Sequence, residues 1–259
     1  MNYTIQGYLI YTTFAGYVLA FAAGLFRFKK LSGVVYFIGF LSALVCVGYR
    51  WYCVGHVPMQ NLFEVFVVLG ALIYPVSIFS QRFLPVGLPT GDKLIAVMMV
   101  IPAAFVFSTE AQQLPPALQS WFFAPHVGTY ILGYVFMAKG CLQAVSALSM
   151  KSSERAVLYE EGAYRMVCGG FVFLTAGLVL GSVWAQRAWG DYWGWDPKEM
   201  WSLATWLVYA GYFHFRYLYG KKWIRINGFW VIWGMIMVLV TLLWVNFSRF
   251  FSGLHIYAS

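Results

Sequence analysis

The chain has 259 residues, of which 61% are hydrophobic and only 10% charged, where an ordinary soluble domain carries about 25% charged residues. A soluble fold of this length could not hide so much apolar surface without leaving large exposed patches, so the composition argues against a soluble protein and makes lipid the solvent. The net charge of +8 follows membrane topology rather than forming a nucleic-acid footprint, and nucleic acid is not expected as a partner.

A bilayer-spanning helix needs about 20 mostly apolar residues. Eight such stretches lie at about 4–26, 33–54, 60–80, 94–109, 127–149, 165–186, 200–219 and 226–247. The expected fold is therefore all-α, a polytopic membrane helix bundle forming a single membrane domain over 1–259. With the N-terminus outside, the inner loops hold Arg27, Lys29, Lys30, Arg82, Lys93, Lys151, Arg155, Arg165, Arg216, Lys221, Lys222 and Arg225. The outer segments hold Arg50, Arg187, Lys198 and Arg249. Twelve against four is a positive-inside bias, so both termini are expected outside and the lipid bilayer is the partner of the basic residues. The first stretch begins near Met1 with no basic leader and no small-residue cleavage site, and reads as a retained span rather than a removed signal peptide. Cys46, Cys53, Cys141 and Cys168 form no C-x-x-C pair; those inside spans read as ordinary packing residues.

Four places along the chain stand out from its apolar background. Gly55-His56-Val57-Pro58 leads into Asn61 and Glu64 near the outer end of the third stretch. Structural bonding of His56 in its loop stands there beside a supporting role at a ligand site. Lys139 lies about 18 Å into the fifth helix at 1.5 Å per residue. It either snorkels toward the inner surface or meets an acidic ligand group. Gly177-Leu-Val-Leu-Gly181 is a small-xxx-small pattern that lets the sixth helix pack closely on a neighbour. The fourth place is a loop at about 184–201: Trp184-Ala-Gln-Arg187-Ala-Trp189-Gly-Asp191-Tyr-Trp193-Gly-Trp195-Asp196-Pro-Lys198-Glu-Met-Trp201. An interfacial belt accounts for Trp184 or Trp206 alone, but not for a cluster punctuated by glycine and proline. Gly190 and Gly194 permit sharp turns, Pro197 suits the first turn of the next helix, and the expected product is a flat aromatic platform. A large planar apolar ligand would stack there, with Arg187 or Lys198 facing its acidic groups.

This segment resembles the WWD signature of the haem-handling proteins of cytochrome c maturation, and Trp195-Asp196-Pro197-Lys198-Glu199-Met-Trp201 is similar to the CcsA (also ResC) branch. Gly55-His56-Val-Pro58-Met-Gln-Asn61-Leu-Phe63-Glu64 is similar to the same branch. The resemblance implies a haem-binding membrane subunit of the system II cytochrome c synthase, a cytochrome c haem lyase acting with a CcsB/ResB partner. It would take haem b as substrate and attach it to the C-x-x-C-H of apocytochrome c. His126 and His255, both on the outer side, would be the catalytic axial ligands. Trp184, Trp189, Asp191, Trp193, Trp195, Asp196, Trp201, Arg187, Lys198 and His56 would form the haem surface. His214 lies about 20 Å along the seventh helix, in the membrane interior, where ionisable groups are rare and functional. It shares a face with Ala204, Leu207 and Gly211; a structural histidine bonded to a neighbouring helix is one reading, and the resemblance implies the other, a ligand to haem iron at an inner site with a partner subunit. The implied location is the bacterial cytoplasmic membrane in preference to the plastid thylakoid. A non-catalytic haem-binding regulator and a b-haem electron carrier are the competing readings; the second is disfavoured because carriers usually hold haem between paired intramembrane histidines.

Overall fold

Proline and glycine set several of the helix ends in the computed structural model, which describes residues 4–150 and 153–244. Among the described residues eight α-helices follow in chain order: α1 Ile5–Leu25, α2 Lys29–Val54, α3 Leu62–Ser80, α4 Pro89–Phe105, α5 Phe123–Ser149, α6 Ser153–Trp189, α7 Pro197–Tyr219 and α8 Ile224–Leu239. Gly55, at φ 74, closes α2 in the left-handed conformation. Pro89 and Pro197 open α4 and α7 at the first turn, where the missing N–H costs nothing. No strand occurs among the described residues.

Helices α1, α2, α3, α5, α6 and α8 are long and apolar enough to cross a membrane. The protein is thus a multi-pass helical membrane protein, as its composition predicts. Helix α4 has 17 residues. Helix α7 has 23 but carries Lys198, Glu199, His214 and Arg216.

The chain divides into two compact units, Met1–Phe79 with Leu88–Pro115, and Ser80–Gly87 with Pro116–Ser259. In the first, α1 and α2 touch backbone to backbone where Gly16 faces Gly39. Tyr17, wholly buried, crosses to α3 and donates its hydroxyl to Gly70 O at 2.7 Å. In the second unit, α5 lies along α6. Gly133 and Gly140 on α5, and Gly169, Gly170, Gly177 and Gly181 on α6, each meet the other helix so closely that a methyl group would press on it.

Helix α6 is much longer than the expected 165–186, at 37 residues, or about 55 Å. Its extra N-terminal turns are polar and held by charge. Arg216 of α7 donates to Glu160 at 2.7 and 3.2 Å and to Glu161 at 3.0 Å, and its guanidinium lies 3.6 Å from the Tyr164 ring. Asn227 of α8 donates to the same Glu160 at 3.0 Å. A hydropathy reading stops where these charges begin, although their pairing lets the helix continue.

Candidate functional site

The site of the second unit is built around His126, in the first turn of α5. Its ring lies against α6 at a place where a Cβ on Gly181 would come within 2.5 Å of the imidazole. Only glycine leaves that room. One helical turn earlier, the Gly177 carbonyl oxygen is 2.9 Å from His126 Nδ1. A carbonyl only accepts, so Nδ1 carries the proton and the neutral ring has its lone pair on Nε2. A backbone carbonyl on one ring nitrogen is the usual way a metal-binding histidine is oriented for coordination through the other. The ring stacks on Trp184 at 5.6 Å and 13°, and Tyr130 meets it edge-on at 5.3 Å. The small-xxx-small pair of α6 thus does more than bring two helices together: one glycine supplies the oxygen and the other the space.

The tryptophans divide into two groups. Trp184 and Trp189 belong to α6, not to a loop, because the helix continues to Trp189. Trp184 is 2% exposed and donates its indole N–H to Ala117 O at 2.9 Å. It backs the imidazole rather than offering a face to a ligand. Trp189 meets it edge-on at 4.7 Å. Arg187 is exposed, with its guanidinium 4.4 Å from the centre of the Phe122 ring.

The irregular segment is short, from Gly190, at φ 94, to Asp196. Asp191 and Tyr192 are exposed, Trp193 is half-buried and Trp195 is 67% exposed. The Trp193 and Trp195 rings stand perpendicular, 6.0 Å apart. Asp196 is buried and caps α7, accepting from Lys198 N at 2.9 Å. Glu199 reaches back to Asp196 N at 3.1 Å and completes a capping box. The aspartate of the motif therefore shapes the chain. Burial pushes the Lys198 ammonium down to about 8, and Asp196 partly offsets it. Trp201 is half-buried on the following turn.

The remaining predicted residues lie elsewhere. His214 is exposed on α7, and its Nδ1 lies 2.9 Å from Ala210 O in the preceding turn. Leu207, one heptad earlier, is also exposed, but the space expected beside Gly211 is filled by the Trp230 indole of α8. Lys139 is 2% exposed, which removes the snorkelling reading, since that needs the ammonium in water. His255 lies outside the described residues.

In the first unit, the His56 segment is held by a polar knot. Arg50 donates to Glu64 Oε1 at 3.0 Å, to Thr109 O at 2.6 Å and to Glu110 O at 3.0 Å. Glu64 Oε2 accepts from Gln60 N at 2.8 Å, and Asn61 Oδ1 accepts from Glu64 N at 3.0 Å. His56 Nδ1 is 3.0 Å from Val57 O. The Asn61 and Glu64 of this motif thus have structural partners, and Arg50, counted from sequence only as an outer charge, is the centre of them.

A multi-pass helical bundle with a carbonyl-oriented histidine stacked on tryptophan, beside an irregular aromatic segment, defines the class. The chain belongs to the cytochrome C assembly protein family, whose model matches residues 34–252. Among its relatives is the cytochrome c biogenesis protein CcsA of Chlorella vulgaris, 32% identical over 85% of this chain and 84% of the relative. Proteins of the same name from Guillardia theta, 31% identical over 89% and 88%, and from Synechococcus sp. (strain RCC307), 31% over 71% and 73%, are similar.

Proposed function

We propose that this protein is a haem-binding membrane subunit of cytochrome c synthesis, which presents haem for thioether attachment to apocytochrome c. The observation that carries the reading is His126: its Nδ1 set on Gly177 O, as metal-binding histidines commonly are, and its ring stacked on Trp184. Imidazole is a usual axial ligand of haem. His255 is the proposed second ligand, with Trp193 and Trp195 as the aromatic surface and Arg187 and Lys198 as cations for the propionates.

Haem enters this scheme as substrate. The cysteine thiols of apocytochrome C-x-x-C-H add across its two vinyl groups: each sulfur forms a bond to one vinyl carbon and the thiol proton goes to the other. The chain's share is positioning, because thiols held beside the vinyl groups gain effective molarity without acid–base machinery. The histidine of C-x-x-C-H then displaces one of the two protein imidazoles. His214, facing outward from α7, is proposed to hold haem earlier, with a ligand from a CcsB/ResB partner. The proposed setting is a bacterial cytoplasmic membrane with the aromatic segment on its outer side.

Replacing His126 by glycine tests this directly. His126→Gly is expected to lose cytochrome c formation and to regain part of it with added imidazole, which refills the vacated position. Undiminished cytochrome c formation by His126→Gly would remove the reading's main support.

A further inference from the structure

Trp195 combines two properties that packing does not account for. Its backbone lies at φ 56, the left-handed region that a bulky side chain rarely enters. The residue is 67% exposed and its ring meets that of Trp193 edge-on, so burial does not account for the conformation. The cause sits on the next helix. A single oxygen, Glu199 Oε2, accepts from the amide of Gly194 at 2.8 Å and from the amide of Asp196 at 3.1 Å. These amides flank Trp195, and a left-handed residue between them turns both N–H groups toward one acceptor, the concave arrangement that backbone amides offer to anions. Glu199 is itself fixed in the first turn of α7, where Asp196 accepts from Lys198 N and Asp196 O accepts from Met200 N at 2.9 Å.

We infer that Glu199 is a positioning residue for the aromatic surface. It holds Trp195 left-handed and so presents that indole outward, perpendicular to Trp193. The inference rests on the haem-platform reading above and adds the residue that sets the platform's geometry. What acts is an acceptor oxygen at a fixed reach, not the negative charge. Glutamine keeps such an oxygen at the same reach. Aspartate keeps the charge but, one methylene shorter, withdraws it.

The experiment is a haemin titration of the purified full-length chain in lipid nanodiscs, followed by absorption and by quenching of indole fluorescence. A His214→Ala background isolates the outer site. Glu199→Gln is expected to bind within about threefold of the parent, and Glu199→Asp and Glu199→Ala at least about tenfold more weakly. Neither should weaken binding further when combined with Trp195→Ala, because the clamp acts through that indole. Should Glu199→Ala not fold, the Gln and Asp variants still decide between reach and charge. Binding kept by Asp and lost by Gln overturns the clamp in favour of charge. Parent-like binding by every Glu199 variant, with Trp195→Ala impaired, overturns the clamp and leaves the platform standing. Parent-like binding by Trp195→Ala removes the platform itself, and the clamp's role with it.

Discussion

Gly181 shows how finely a single residue conditions the imidazole. A Cβ there would come within 2.5 Å of His126, so Gly181→Ala must move the ring off Gly177 O or push α5 away from α6. Alanine favours a helix interior over glycine by about 1 kcal/mol, so α6 itself does not suffer. The expected outcome is a membrane-inserted, folded protein whose outer haem spectrum and cytochrome c formation are lost with His126 still present. Normal cytochrome c formation by Gly181→Ala would mean that the observed ring position is not the working one. Lys198 makes a second prediction, in pH. Its ammonium titrates at about 8 because burial disfavours the charge, against about 10.4 when unperturbed. Between those values the unfolded chain holds the proton and the folded one does not, so this group's penalty on folding falls as pH rises. Propionate attraction runs the other way. Haem held at the outer site is expected to weaken as pH rises through about 8, and Lys198→Arg is expected to move that loss to higher pH. A pH titration of bound haem in nanodiscs reads both; an identical profile for Lys198→Arg would take Lys198 out of the haem surface.

At the level of elements, what the sequence reveals depends on whether the cause is local. Helix α7 starts with Asp196-Pro197-Lys198-Glu199, a pattern that itself announces a capping box, and a reading centred on tryptophans passes over it. The α5–α6 contact is announced by Gly177 and Gly181, but their part in orienting His126 is not, since the imidazole comes from residues far back in the chain. The length of α6 is hidden for the same reason: Glu160 and Glu161 look like a loop until Arg216 is placed beside them. Arg50 and Glu64 are also joined only by folding. Their side chains are 4% and 1% exposed, so removing one partner strands a buried charge, at about 3–5 kcal/mol. Glu64→Ala is therefore expected to lower the unfolding temperature in detergent sharply. Arg50→Ala combined with Glu64→Ala should recover part of that loss, because no lone charge remains. Additive losses in the double variant would show that the two residues act independently.

For the whole molecule, composition is enough to make it a helical membrane protein, because no soluble solution hides so much apolar surface, and the tryptophan motif is enough to place the family. Sidedness is harder, and α4 and α7 decide it. If every helix spans and the N-terminus is outside, the segment from Gly190 to Asp196 is outside. If only the six helices that satisfy length and composition span, the C-terminus is still outside, yet that segment falls inside. Charge alone separates these weakly. The six-span arrangement moves Lys151, Arg155 and Arg165 out and brings Arg187 and Lys198 in, leaving eleven inside against five outside, where eight spans give twelve against four. Length permits eight. Between the charges at its two ends, helix α7 keeps a mostly apolar stretch that starts after Glu199, and helix α4, with 17 residues, sits at the lower limit for spanning. A reporter fused after residue 259 cannot tell the two apart, since both put it outside. Reporters inserted after Gln113 and after Tyr192 can, and both are expected to be active only on the outer side. Activity of either on the cytoplasmic side would put the tryptophan segment on the wrong face for apocytochrome c and would remove the proposed function along with the topology.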